Sequence, residues 1–195
     1  MAYTHVNRRG QTYHLMAGKT ARGRPHFYFT TKPKGESAAS IPEGYEAYEL
    51  PDTGAVVLRK KQPTRIIEFE RLALENAIRT QAGLTHFVVE VVKDALIVHL
   101  SDMSPDDIRG FLDDMVPLSS RRVADATDRL GRNARYSKMM RFRLVSEQPR
   151  QFEVDRWCFL GGIDDWFPIG DTAPMAAQIK KFVKHLGKES FFELI

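Results

Sequence analysis

Cysteine is nearly absent from this sequence, and long apolar runs are absent altogether. The one cysteine, Cys158, excludes an intramolecular disulfide framework and a cysteine-rich zinc site. The first residues already include Asn7, Arg8 and Arg9, so we expect neither a secretory signal nor a spanning helix. These absences predict a cytoplasmic protein with no membrane partner.

The composition is that of an ordinary globular chain, with 43% hydrophobic, 28% charged and 10% aromatic residues. These proportions exclude a disordered or collagen-like protein. A length of 195 residues suits one medium domain, or one domain with a small addition. That much chain can bury a core without a metal or a disulfide.

Short β-prone runs alternate with amphipathic segments, which predicts an α+β fold. Strands are expected at 12–16, 26–31, 45–50, 55–61, 86–92, 95–100, 138–145 and 152–159, and helices at 64–82, 104–115, 119–134 and 172–186. Short links between strands favour a meandering antiparallel sheet built from strand-strand-helix units, with helices on one face. Pro63 marks the predicted boundary between a small basic β module, 1–62, and an α+β domain, 63–195.

The positive charge is concentrated in two blocks, although the net charge is only +4. Residues 1–35 hold seven Lys or Arg and no acidic residue, and residues 119–143 hold eight against two aspartates. Such blocks favour an acidic partner such as a phosphate backbone. Solvated surface charge is the alternative interpretation of both.

In the first block, aromatic residues are interleaved with the cations Lys19, Arg22, Arg24 and Lys32. A strand surface of this kind can stack bases and hold phosphates. In the second block, the amphipathic segment 119–134 places arginines opposite its apolar positions. The candidate phosphate contacts there are Arg121, Arg129, Arg132 and Arg135.

Residues 156–168 hold both tryptophans of the chain, paired glycines and paired aspartates. Trp157, Trp166 and Phe167 are the candidate anchors for a partner, because exposed loop aromatics often carry binding energy. The alternative is that these rings plug the end of the sheet as core residues. Residues 161–171 are expected to connect the last strand to the last helix.

No catalytic signature, metal site or cofactor motif stands out, so we predict no catalytic residue and no cofactor. The six histidines form no recognised ligand pair. The aspartates of 102–114 could bind a cation such as Mg²⁺ or Ca²⁺. Capping of the following helix is the simpler explanation for two of them, Asp106 and Asp107. Pairing of Cys158 with a histidine for nucleophilic catalysis is the weakest alternative.

One run of residues near the N-terminus resembles the opening of a group of uncharacterised bacterial hypothetical proteins. It reads Tyr13-x-Leu15-x-x-Gly18-Lys19-Thr20-x-x-Gly23-x-Pro25-x-Phe27-x-Phe29, followed by Ile41-Pro42-Glu43-Gly44-Tyr45-Glu46. The resemblance covers about the first sixty residues, and the region from Trp157 to Phe167 as well. It implies a recurrent module and carries no activity or substrate.

The sequence therefore leads to two hypotheses from different classes. The first is a non-enzymatic protein that binds DNA or RNA through its basic surfaces. The alternative is a protein-protein interaction or scaffold domain that uses the aromatic loop 157–168. A hydrolase is a distant third.

Overall fold

A computed structural model describes residues 2–103, 108–110, 120–159 and 164–194. It confirms the predicted α+β class, with antiparallel sheets. The strands are β1 Thr4–Val6, β2 Thr12–Lys19, β3 Pro25–Thr30, β4 Tyr45–Glu49, β5 Val56–Lys60, β6 Phe87–Val92, β7 Ala95–Ser101, β8 Tyr136–Glu147, β9 Arg150–Cys158 and β10 Asp165–Pro168. The helices are α1 Glu68–Ala77, α2 Ser120–Asn133 and α3 Met175–Phe182.

The strands before residue 61 form two small sheets, in which β1, β2 and β3 pair in that order and β4 pairs with β5. Gly23 provides the left-handed φ of 75° that the turn after β2 requires. Both predicted hairpins are confirmed, although β2 extends to Lys19, inside the stretch expected to be a loop. Strand β1 was not predicted, because its three residues are too few to show an alternating pattern.

The larger sheet has five strands in the order β10-β9-β8-β7-β6, and every neighbouring pair is antiparallel. Its tight β6–β7 turn at Lys93 and Asp94 is the predicted one. The stretch 161–171, expected to connect the last strand to the last helix, contains a further strand that was not predicted, the edge strand β10 at Asp165–Pro168. A segment of four residues that ends in a proline is too short to show the alternating pattern that predicts a strand. Proline is accepted in β10 because an edge strand has one side without hydrogen-bonded neighbours.

The core lies between one face of this sheet and helices α1 and α3. Alternate residues of the central strands point into it, such as Leu96 and Val98 of β7 and Met140 and Phe142 of β8. The intervening residues therefore point to the opposite side. We call that side the outer face.

Helix α1 begins at Glu68, four residues later than predicted. Ile67 has an extended backbone, and its amide donates to the Glu70 carboxylate over 3.1 Å, which closes the first turn. Arg65, upstream of the helix, instead forms an ion pair with Asp94 of the β6–β7 turn. After Ala77 the chain makes a π-helical turn, 78–82, and the helix ends at a left-handed Gly83 as predicted.

The predicted helix at 119–134 is confirmed as α2, which adds no residue to the core cluster of the described chain. Gly131 of α2 lies so close to His86 that a Cβ there would be 2.4 Å from the imidazole. The predicted helix at 104–115 lies outside the described residues, except 108–110, which are helical.

The last predicted helix is shorter than expected. Helix α3 ends at Phe182, and a 3-10 turn, Val183–His185, leads to Gly187 with a φ of 74°. In the described parts of the chain, no helix is long and apolar enough to cross a membrane.

Candidate functional site

Each of the five strands contributes one polar or aromatic side chain to a band across the outer face. These residues are Glu90 of β6, His99 of β7, Lys138 of β8, Trp157 of β9 and Trp166 of β10. His99 and Lys138 are direct cross-strand partners, and so are Trp157 and Trp166. We call these five residues the transverse row. With neighbouring strands about 4.8 Å apart, the row spans about 19 Å.

At its aromatic end, the row combines paired indoles with cations. The Trp157 and Trp166 rings pack edge to face, with centroids 5.0 Å apart. Lys138 Nζ lies 4.7 Å from the Trp157 centroid, and the Arg141 guanidinium lies 4.6 Å from the Trp166 centroid. Both indoles are half-buried, so part of each ring faces solvent. Cation–π contacts hold the rings in place and keep positive charge beside them.

The positive charge at Arg141 is largely compensated, whereas that at Lys138 is not. Arg141 Nε donates to Asp155 over 2.8 Å, and Asp155 is buried. Lys138 is exposed, and no carboxylate of the described residues lies within ion-pair distance of it. Lys138 is therefore the cation of the row that is available to an anionic ligand.

At its closed end, the row is covered by the β4–β5 sheet. The Tyr48 hydroxyl donates to Glu90 Oε1, while His99 Nε2 lies 3.0 Å from Glu90 Oε2. Burial raises the pKa of Tyr48, and the neighbouring Glu90 carboxylate raises it further. Burial also raises the pKa of Glu90, but hydrogen bonds from His99 and Tyr48 outweigh that effect and hold it below its ordinary value. Glu90 is thus an anion with both oxygens engaged.

A cavity of about 380 Å³ lies between the closed and aromatic ends. Its lining includes four aromatic rings, Tyr48, Tyr136, Trp157 and Phe159. The Arg8 guanidinium lies 4.5 Å from the Tyr136 centroid, and Arg59 lies 3.4 Å from that of Tyr48. A cavity of this size with aromatic walls suits one planar ring system, and Lys138 at its edge suits an attached anionic group.

The candidate partner anchors are divided between the two faces of the sheet. Trp157 and Trp166 come together on the outer face. Phe167 is paired with Arg156, one residue out of phase with the tryptophans, so it points to the opposite side, where 47% of it is exposed. The structure does not bring Phe167 to the row.

The candidate phosphate contacts of the N-terminal module, Lys19, Arg22, Arg24 and Lys32, are all exposed. The first three lie at or beside the β2–β3 turn. β2 is eight residues long, so this turn is about 23 Å from the start of the strand at Thr12. These three cations form a separate patch, remote from the β1–β2 end of the module. Lys32 lies near that other end, because it follows β3, whose Thr30 is paired with His14 of β2.

The cations at and just after the C-terminal end of α2 lie nearer the row than Arg121 at its beginning does. Arg121, Arg129, Arg132 and Arg135 are all exposed, and Arg132 forms an ion pair with Asp128. Arg9, in the β1–β2 turn, donates to the Ala134 carbonyl over 3.4 Å, and Tyr136 two residues later lines the cavity. The C-terminal end of α2 is therefore held against the β1–β2 turn, at the opposite end of β2 from Lys19, Arg22 and Arg24.

Several residues of the site were not singled out from the sequence: Tyr48, Glu90, His99, Tyr136, Lys138 and Arg141. A signal for Glu90 and His99 was present, because each is a polar residue within an apolar strand. The tight turn after Val92 sets a register that places both on the outer face.

The remaining candidates are not assembled into a reactive centre. Cys158 is a buried free thiol that follows Trp157 and so faces the core side of β9. Asp102 accepts a hydrogen bond from the Ser137 hydroxyl over 2.5 Å, and Asp106, Asp107, Asp113 and Asp114 lie outside the described residues. In the chain as described, no group of three His, Cys, Asp or Glu side chains is arranged to hold a metal.

Comparison with known proteins returned no matching family model, curated protein or solved structure.

Proposed function

We propose that the protein binds single-stranded nucleic acid across the transverse row of its outer face. The observation that carries the proposal is the pair of half-buried tryptophans, each with a cation over its ring, on a sheet face that the core helices leave open. Sheets that present aromatic rings and cations in this way bind splayed bases by stacking and phosphates by charge.

A single strand fits the row better than a duplex does. The rings of Trp157 and Trp166 are reached only from the outer face, and base planes are free to stack on them only when the bases are unpaired. The adjoining cavity has room for one further base against Tyr136 and Trp157. Two to three bases would therefore be held by contacts that tolerate different sequences.

Phosphate contacts extend the site beyond the row. Lys138 provides the nearest uncompensated charge, and the α2 arginines continue it past the cavity toward the β1–β2 turn. The hairpin cations Lys19, Arg22 and Arg24 would be reached only by a longer strand. Each phosphate neutralised contributes to an affinity that falls with salt.

A protein partner is the second candidate, and a specific observation favours it. Phe159 at the mouth of the cavity is 55% exposed, beside Tyr136 and Trp157. Tyr and Trp clusters with neighbouring arginines are the usual composition of binding hot spots. A protein ligand would pack on the same rings, but its affinity would depend weakly on salt.

The experiment is a fluorescence-anisotropy titration of a labelled RNA or DNA strand of about 15 nucleotides. We expect binding at low salt that weakens steeply between about 50 and 200 mM salt. Lys138→Ala should reduce affinity, whereas Lys188→Ala, an exposed lysine beyond α3, should not. Absence of binding to both strands at low salt would contradict the proposal.

A further inference from the structure

A second concave surface lies on the other side of the molecule, between helices α1 and α3. It encloses about 540 Å³. Ala73, Ala77, Phe152 and Ile179 are among its lining residues, and Phe69 stands at its edge. Because α1 and α3 cover the core face of the sheet, this groove is separate from the transverse row.

The wall of the groove exposes large apolar side chains to an unusual degree. Phe69 is 76% exposed and Ile67 is 50% exposed, and both line the groove. In soluble proteins, contiguous exposed apolar surface of this kind marks interaction sites. A π-helical turn, 78–82, ends the α1 wall and places Gln81 in the lining, and such turns are frequent at functional sites.

Charge is distributed unevenly along the groove. Glu70 is buried and is held by Arg150, so these two lining groups neutralise each other. The α1 rim offers the uncharged Asn76 and Gln81. On the α3 side, Lys180 is exposed, and residues 175–188 contain no acidic residue.

Lys180 is the lysine that the helical spacing of α3 places beside the lining residues. It follows the lining residue Ile179 and lies one helical turn beyond Ala176, which also lines the groove. Lys181 is directed elsewhere, since its Nζ lies 4.9 Å from the Phe182 centroid. An apolar groove with the exposed Lys180 beside one rim is complementary to an amphipathic ligand whose flank is acidic.

We propose that the α1–α3 groove is a docking site for an amphipathic helix of a partner protein that carries acidic residues along one flank. Helix α1 and the π-helical turn that follows it form a groove wall that reaches from Glu68 to Gln81, which is about 14 residues or about 20 Å and matches a partner helix of about four turns. Apolar residues at i, i+3/i+4 and i+7 would cover Phe69 and Ile67. Glu or Asp on the flank would face Lys180.

The test is a selection from a displayed library of amphipathic helical peptides of about 14 residues. Their apolar positions vary among Leu, Ile, Phe and Met, and their flanking positions are drawn equally from Glu, Lys and Ser. The full-length protein is the bait, and selected peptides are then titrated against variants. Phe69→Ser removes the exposed ring from the groove. Leu72→Ser is the matched control, because Leu72 is 49% exposed on α1 but does not line the groove.

We expect enrichment of peptides with Glu on one flank. Phe69→Ser and Lys180→Glu should weaken their binding by about tenfold or more, with Leu72→Ser and Lys188→Glu within about twofold of the original. Lys180→Glu should also shift a repeat selection toward Lys on that flank. Circular dichroism of each variant establishes that it is folded.

Three outcomes would overturn the proposal. One is the absence of any enriched peptide, and a second is enrichment without a preference for acidic flanks. The third is a concentration-dependent dimer, seen by sedimentation and lost in Phe69→Ser, which would assign the groove to a second copy of this chain.

Discussion

Trp157 and Trp166 are directly opposed on strands β9 and β10, and their rings meet at 73° with centroids 5.0 Å apart. Neither is enclosed in the core, which lies on the other face of the same sheet. The pair therefore forms the exposed aromatic end of the transverse row. Lys138 and Arg141 add positive charge at the ring faces.

Replacing one member of this pair should affect binding more than folding. Trp166→Ala should weaken single-strand binding by about 1–3 kcal/mol, or about 5- to 150-fold, because one stacking surface is lost. Its cost in unfolding free energy should be about 1–2 kcal/mol, since the ring is half-buried. Anisotropy titrations and urea melts measure the two effects.

Phe142→Ala is the contrasting variant for that measurement. Phe142 is fully buried in the core, so its truncation should cost about 3–5 kcal/mol of stability. If Trp166→Ala destabilised the fold as strongly and left binding unchanged, Trp166 would be a core residue.

The two basic patches should respond differently to the length of the strand. Replacing Arg129 and Arg135 by Ala should reduce the slope of log affinity against log salt by about 1.4 for short and long strands alike. Replacing Arg22 and Arg24 should do so only for strands long enough to reach the β2–β3 turn, about 23 Å from the other end of β2.

Both double variants should fold normally, because exposed charges contribute little to stability. Identical effects of both pairs on a strand of about five nucleotides would show that the patches lie closer together than the structure places them.

The Glu90 network should make stability depend on pH in the acidic range. The pKa of Glu90 is lowered in the fold from its ordinary value of 4.5, so its contribution to stability is complete above that pH and is lost as the pH falls through the folded pKa. Glu90→Gln removes this component. The stability lost on substitution should therefore be larger at pH 7 than at pH 3, as urea melts would show.

Tyr48→Phe is the partner variant, since it removes one of the hydrogen bonds that hold the Glu90 carboxylate as an anion. It should reduce the pH dependence without abolishing it, because the His99 contact remains. If the unfolding free energy of Glu90→Gln changed between pH 7 and pH 3 by as much as that of the original protein does, this account of the network would be contradicted.

Breaking the ion pair beneath α1 should be costly. Arg150→Ala leaves the Glu70 carboxylate buried without its cation, and we expect a loss of about 2–3 kcal/mol in unfolding free energy. Arg65→Ala is the control, because its ion pairs with Asp94 and Glu147 are exposed and it should cost far less. If both variants lost the same unfolding free energy, the burial of Glu70 would not be the cause of the destabilisation in Arg150→Ala.

Much of the fold can be predicted from local pattern. The hairpins at Gly23 and at Lys93-Asp94, the helix end at Gly83 and the amphipathic α2 each follow from residues close together in the chain. β10 does not, because its pairing with β9 depends on a partner strand and not on its own short sequence.

The candidate site is harder to predict because its residues come from all five strands of the larger sheet and from β4. Trp157 and Trp166 stand out by composition, but their pairing with Lys138 and Arg141 depends on register, including a shift between Val98 and His99. One sequence can mark strands as alternating. The sequence alone does not determine the register between strands of different hairpins, and that register decides which of their residues share a face.

The most direct test of the central claim uses the intrinsic fluorescence of the protein, because both tryptophans of the chain belong to the transverse row. Addition of an unlabelled single-stranded oligonucleotide at low salt should quench that fluorescence as bases stack on Trp157 and Trp166. The same titration, followed in parallel by anisotropy of a labelled strand, should give the same dissociation constant. Binding seen by anisotropy with no change in tryptophan fluorescence, or no binding at all, would contradict the account.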